Sequence, residues 1–102
     1  MLRRNMKLRQ FYDYVVSNKY RKVLYIGMTN NLSRRLAEHA AGTVKSFTCQ
    51  YNLTYLLYFE VWDDAPSDIA REKQLRNWHR EWKFSLIKEL NPGLKDHYGL
   101  LR

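Results

Sequence analysis

The stretch FYDYVVSNKYRKVLYIGMTNNLSRRLAEH, residues 11–39, decides the fold. Phe11–Val16 and Val23–Met28 are rich in β-branched and aromatic residues, and a short polar SNKYRK separates them. That pattern reads as a β-hairpin with a loop of about four to six residues. Symmetric closure of the loop sets Ser17 opposite Lys22 and Tyr14 opposite Tyr25. Directly opposed residues share a face of the sheet, whereas a slip of one residue sends the two rings to opposite faces. Gly27 lies two residues beyond Tyr25 on the same strand face. A glycine inside a strand weakens it, so it marks either the strand's end or a close approach, with room beside Tyr25 for a phosphate or a neighbouring backbone.

The hairpin leads into a helix. Asn30 or Asn31 supplies the N-cap, Leu32, Leu36 and Ala40 form a buried stripe, and Gly42 ends the helix. Arg35 and His39 are four apart and project from one side, next to the stripe, where they can reach over the sheet. The plainer reading makes Arg35 a solvated charge and His39 a complement to the helix C-terminus.

Further along, residues 43–52 read as an irregular loop and TYLLYFEVW (54–62) as the strongest strand. Alternation puts Tyr55, Leu57, Phe59 and Val61 on one face and Leu56, Tyr58 and Trp62 on the other, so both faces are covered. Asp63, Asp64 and Asp68 read as turn and cap residues ahead of a helical region over 66–90. Its lining is expected to include Ile69, Leu75, Trp78, Trp82, Leu86 and Leu90, with a bend near Asn77–Arg80. Asn91-Pro92-Gly93 stops it. The order β-β-α-β-α-α predicts an α+β fold, a small antiparallel or mixed three-stranded sheet flanked by helices. Residues 1–10 form a basic arm and 11–102 one domain.

The chain has 102 residues, enough for one compact domain, and 45% of them are hydrophobic, which excludes a disordered basic tail. Lys and Arg number 18 against 10 Asp and Glu, a net charge of +8 that favours an anionic partner. Nucleic acid comes first; an acidic membrane surface or acidic protein comes second. The lone Cys49 excludes an intrachain disulfide, and His39, His79 and His97 are too scattered for a zinc site. The basic N-terminus lacks the apolar segment of a secretion signal and no run is long enough to span a membrane, so the chain reads as cytoplasmic.

In IAREKQLR, Glu72 stands one turn before Arg76, and the plain reading is an i, i+4 ion pair. As a metal ligand it lacks carboxylate neighbours at ligand spacing, so it supports one loosely held, largely hydrated Mg2+. Lys73 and Arg76 belong to a basic stretch, 71–88, interleaved with Trp78 and Trp82, a composition that suits a phosphate-tracking surface.

These residues together resemble the GIY-YIG nuclease family, in particular its small single-domain bacterial members. The resemblance spans roughly 11–92. It rests on YDY (12–14), ten intervening residues, YIG (25–27), Arg35 and His39 in NNLSRRLAEH, Glu72 in AREKQLRNW, and NP at 91–92. The first tripeptide departs from the family pattern, keeping only its tyrosine. Asp13 within it is expected near a sheet edge or beside a cation, because a buried unpaired carboxylate is costly.

The resemblance implies metal-dependent phosphodiester hydrolysis in nucleic acid, DNA first, with a single weakly held Mg2+ or Mn2+. It implies Tyr14 and Tyr25 as active-site tyrosines, Arg35 as phosphate clamp and Glu72 as metal ligand. His39 would move a proton or orient a tyrosine. Gly27, Lys73, Arg76 and Asn91 would support the substrate. All four of Tyr14, Tyr25, Arg35 and Glu72 are expected around one pocket. A binding module of the same fold without turnover is the alternative; a non-catalytic basic interaction protein would not need the four to converge.

Overall fold

The computed structural model describes residues 10–41 and 52–98. The arm at 1–9, Gly42 as helix terminator and most of the 43–52 loop lie outside them. The elements run β1 (Phe11–Ser17), β2 (Leu24–Thr29), α1 (Leu32–Ala41), β3 (Tyr55–Trp62), α2 (Ala65–Asn77) and α3 (Arg80–Leu90). The sheet order is β2-β1-β3 and both pairings are antiparallel, so the α+β prediction holds in its antiparallel form. One core joins Tyr14 and Val16 to Leu32 and Leu36 of α1. The other joins Val15 and Ile26 to Leu75 of α2 and Ile87 of α3. The sheet is therefore covered on both faces, α1 on one and α2 with α3 on the other.

The hairpin closes two residues wider than symmetric closure predicts. Ser17 pairs with Leu24, Tyr14 with Gly27, and Val16 with Tyr25. The cause lies in the loop at 18–23. The Asn18 side chain accepts from the backbone N–H of Lys22 at 2.8 Å and of Val23 at 3.3 Å, and Arg21 takes a left-handed φ of 58°. Because side chains alternate with period two, a shift of two keeps every residue on its face. Tyr14 and Tyr25 remain neighbours, diagonal rather than opposed, with ring centroids 6.4 Å apart.

The new register explains Gly27 and corrects its role. A Cβ there would stand 2.6 Å from Cζ and Oη of Tyr14 and 2.9 Å from Cε2 of Tyr25. The missing side chain is the seat of the Tyr14 ring, not an open slot for phosphate. Gly27→Ala should therefore cost about 1–3 kcal/mol in urea unfolding, the range for overpacking a filled core.

Two other expectations change. A β-bulge between the partners of Val15 and Val16 leaves Leu57 without its own partner on β1. Leu56 therefore joins the Tyr14 core and Leu57 the Val15 core, the reverse of simple alternation. The bulged strand is pinned by Asn91, whose Nδ2 donates to the Leu57 carbonyl at 3.0 Å and to the Lys95 carbonyl at 2.8 Å. Its Oδ1 accepts from the Lys95 N–H at 3.0 Å, so this buried amide is committed to scaffolding rather than substrate.

In the helical region the bend is a break, with Trp78 capping α2 and His79 preceding α3. Asp64 caps α2, accepting from the Ser67 N–H at 2.7 Å. The lining holds at Leu75, Trp78 and Leu86 and differs elsewhere: Ile69, Trp82 and Leu90 are exposed, while Asp68 and Glu72 turn inward beside Leu75. On α1, Ala40 is exposed and His39 takes the buried position.

Asp13 is neither at an edge nor beside a cation. It sits on the central strand, opposite Glu60, with no solvent exposure. The Trp62 indole N–H donates to it at 3.1 Å. The nearby cation, Arg71, is engaged with Glu60 through two bonds of 2.9 Å. Burial and then the Asp68 carboxyl push the Asp13 pKa up to about 9. The folded protein thus holds a proton that the unfolded chain releases above about pH 4. Stability should fall as pH rises from about 4 toward 9. Asp13→Asn keeps an acceptor for Trp62 and removes the ionisation. Urea unfolding at pH 5 and pH 8.5 should show a shallower decline in the variant, with a gain of about 1–2 kcal/mol at the higher pH.

Candidate active site

Tyr14 is held by the register of β1 and β2, with its ring over Gly27 and almost no solvent exposure. Its hydroxyl lies 3.2 Å from His39 Nε2, one turn beyond Arg35 on α1. The His39 ring stands 6.0 Å from Tyr14 and 6.5 Å from Tyr25, centroid to centroid. Two tyrosines and a histidine therefore pack as one triangle between the hairpin and α1. The helix begins where it does because Asn31 Oδ1 accepts from the Arg34 N–H at 3.0 Å, and Leu32 and Leu36 fix its roll on the sheet.

Burial above all, then the neighbouring Tyr25, drives the Tyr14 pKa well above the ordinary phenol value, against a smaller lowering by Arg35. Burial and then Arg35 push the His39 pKa down. Both groups are neutral at pH 7, and their hydrogen bond runs in whichever direction the imidazole tautomer sets. His39 is thus a buried, tyrosine-bonded ring rather than a charged complement to the helix end.

Arg35 lies one turn before His39 on α1, near enough for its charge to lower the pKa of both Tyr14 and His39. Among the described residues its buried Nε has no hydrogen-bond partner, and its ion pair with Glu38 is a loose one at 3.8 Å. A buried guanidinium N–H left unmatched is costly unless an acceptor arrives, and a phosphate oxygen is suited to it.

Tyr25 differs from Tyr14. It is half-buried on the edge strand and lines a cavity of about 430 Å3 with Leu24, Ile26, Arg76 and Lys83. Leu24 and Ile26 belong to the other face of the sheet from the Tyr25 ring, so the cavity lies at the β2 edge on the side of α2 and α3.

Glu72 comes from that other face. It is buried on the inward side of α2 and pairs with Arg76. The geometry joins Glu72 to the Tyr25 cavity through Arg76 rather than gathering all four predicted residues on one surface. Lys73 is exposed on α2. Among the described residues no group of three or more His, Cys, Asp or Glu is placed to hold a metal. One carboxylate fits a cation that keeps most of its water, and nothing more enclosed.

The pattern of the GIY-YIG catalytic domain matches residues 10–85. The chain belongs to the GIY-YIG family. The matched span contains Tyr14, Tyr25, Arg35, His39 and Glu72. This GIY-YIG chain is similar to a UPF0213 protein of Staphylococcus haemolyticus, 31% identical over 78 residues, covering 76% of this chain and 94% of that one. A UPF0213 protein of Syntrophus aciditrophicus is 35% identical over 72 residues, covering 70% and 82%. The NMR structure of a UPF0213 protein from Bacillus halodurans aligns with a TM-score of 0.55 at 20% identity, over 85% of this chain and 92% of that one. The likeness is one of fold. The GIY-YIG catalytic domain is a nuclease fold, and no described helix is long and apolar enough to cross a membrane.

The sequence missed Asp68, a buried acid beside Asp13, because an acid near a helix start reads as a cap. The available signal was Asp13 itself, a carboxylate at an apolar strand position.

Proposed function

We propose that this protein is a metal-dependent endonuclease that hydrolyses phosphodiester bonds in DNA with low sequence specificity. The observation that carries the reading is the buried Arg35 Nε, which has no hydrogen-bond partner among the described residues and only a 3.8 Å ion pair with Glu38, on the helix that brings His39 to Tyr14. A guanidinium there clamps a phosphate and offsets the charge that builds up during displacement. Tyr25, half-buried on the edge strand, is the phenol that meets the substrate. Tyr14 acts as a positioning residue, fixing His39 through their shared hydrogen bond. Neutral His39 offers an acceptor or a donor for a proton at pH 7. Mg2+ or Mn2+ held by Glu72 would supply positive charge and an activated water. Arg76, Lys83 and Lys73 meet backbone phosphates, which position nucleic acid without reading bases.

The Glu72–Arg76 pair favours a second reading, a binding module in which the carboxylate stays occupied. Supercoiled and branched DNA incubated with Mg2+, Mn2+ or EDTA separates the two. Metal-dependent nicking that is lost in Glu72→Gln supports the enzyme; salt-sensitive binding without nicking in any metal supports the module.

A further inference from the structure

Away from the tyrosine triangle, the 18–23 loop carries an aromatic ring that no core requires. Tyr20 is 72% exposed. The loop that presents it is tied down from several directions. Arg21 N–H donates to the Asn18 carbonyl at 3.0 Å, and Arg21 Nε donates to the Leu94 carbonyl at 2.8 Å. Arg80 of α3 donates to the Lys22 carbonyl at 2.5 Å, and the Arg21 guanidinium lies over the Tyr55 ring at 4.5 Å. A flexible loop with a stray tyrosine would need none of this anchoring.

Beside Tyr20 lies an open cleft of about 600 Å3, lined by Tyr20, Lys22, Arg80, Phe84 and Lys88 among others, and no acid among the described residues lines it. The cleft is continuous in charge with the Tyr25 cavity. Arg80 lines the first, and Lys83, three residues on along α3, lines the second. Arg76, Arg80 and Lys83 stand close enough that, after burial, the two arginines hold the Lys83 pKa down. Arg76 near the end of α2 and Arg80 and Lys83 in the first turn of α3 bring three cations together, against Glu72 paired with Arg76 and the exposed Glu81, and the excess of positive charge suits an anion. Four residues separate Tyr20 from Tyr25, with Arg21 in a left-handed turn, so the two lie within about 17 Å.

We propose that the cleft beside Tyr20 is a binding site for an unpaired nucleotide, so that a single-stranded segment runs from the Tyr25 cavity past Lys83 and Arg80 to stack a base on Tyr20. The proposal rests on the nuclease reading for its substrate but not on turnover. The ring decides between single and double strands. Bases in a duplex are stacked on one another and present no free face to a protruding phenol, whereas an unpaired base does. Rings beside Lys and Arg form the sequence-tolerant platform that single strands use. Lys22 and Lys88 neutralise the flanking phosphates.

The test measures binding in EDTA, so it is independent of cleavage. Fluorescence anisotropy compares a blunt duplex with the same duplex bearing a four-nucleotide single-stranded tail, in the wild type, Tyr20→Ala, Tyr20→Trp and the Lys22→Gln/Lys88→Gln double variant. The tail should tighten wild-type binding about tenfold, since a stacked base and its phosphates add to the duplex contacts. That gain should shrink below about threefold in Tyr20→Ala and in the double variant, and return in Tyr20→Trp. 2-Aminopurine in the tail should be quenched by the wild type and not by Tyr20→Ala. Circular dichroism confirms that each variant is folded. Equal affinity for tailed and blunt duplex, a full tail gain in Tyr20→Ala, or Tyr20-dependent binding to phosphatidylserine vesicles with no preference for the tail overturns the proposal and leaves the cleavage reading standing. Loss of nicking with the tail gain intact would do the opposite.

Discussion

Arg35→Ala should lower the cleavage rate by about a hundred- to a thousandfold while weakening DNA binding by less than about tenfold. The rate effect matches the loss of one preorganised donor aimed at developing charge. Binding suffers little because Arg35 is one phosphate contact among several cations. The guanidinium is placed for this split. Its buried Nε has no hydrogen-bond partner among the described residues, so it gains most when a phosphate oxygen arrives, and still more as charge on that oxygen increases. Glu38, at 3.8 Å, is too distant to satisfy it. The variant should fold normally, since Leu32 and Leu36 anchor α1. Nicking kinetics and gel-shift affinities measured on the same preparation check both halves. A parallel loss of binding and rate would make Arg35 a plain affinity contact.

The two tyrosines should also separate. Tyr25→Phe is expected to slow cleavage about a hundredfold or more, the effect of losing a group that takes part in proton transfer. Tyr14→Phe should slow it by less than about tenfold and instead cost about 1 kcal/mol of stability, the worth of its buried hydrogen bond to His39. The reason is access. Tyr14 is 2% exposed and its ring fills the space above Gly27, whereas Tyr25 is half-buried on the edge strand. Burial also raises the Tyr14 pKa, so its phenol is a poor base near neutrality. Single-turnover rates and urea midpoints for both variants distinguish the roles, and a larger rate loss in Tyr14→Phe would reverse them.

The sequence carried the hairpin, the capped helix and the apolar strand because periodicity and turn chemistry are local properties. The tyrosines' shared face survived a two-residue error in register because parity, not register, sets the face. The faces of β3 were lost for a related reason. A bulge at Leu57 reverses alternation, and a strand apolar on both sides gives no signal of it. The inward face of α2 was hidden more deeply. Asp68 and Glu72 occupy positions that a hydrophobic stripe would claim, so a search for apolar period passes over them and picks the exposed Ile69. Asn91 misled through its place in a motif, since the same amide that suits a substrate also satisfies the carbonyl stranded by the bulge. For the site, motif spacing proposed the residues, while only the fold showed that Glu72 approaches from the far side of the sheet.

The most direct measurement uses wild-type protein in excess over end-labelled DNA, fully bound before Mg2+ is added. The account predicts that the label moves to a shorter product in a single exponential, that EDTA prevents it, and that the Arg35→Ala complex stays intact. Fully bound wild-type complex in which the DNA remains uncut after Mg2+ or Mn2+ addition would contradict it.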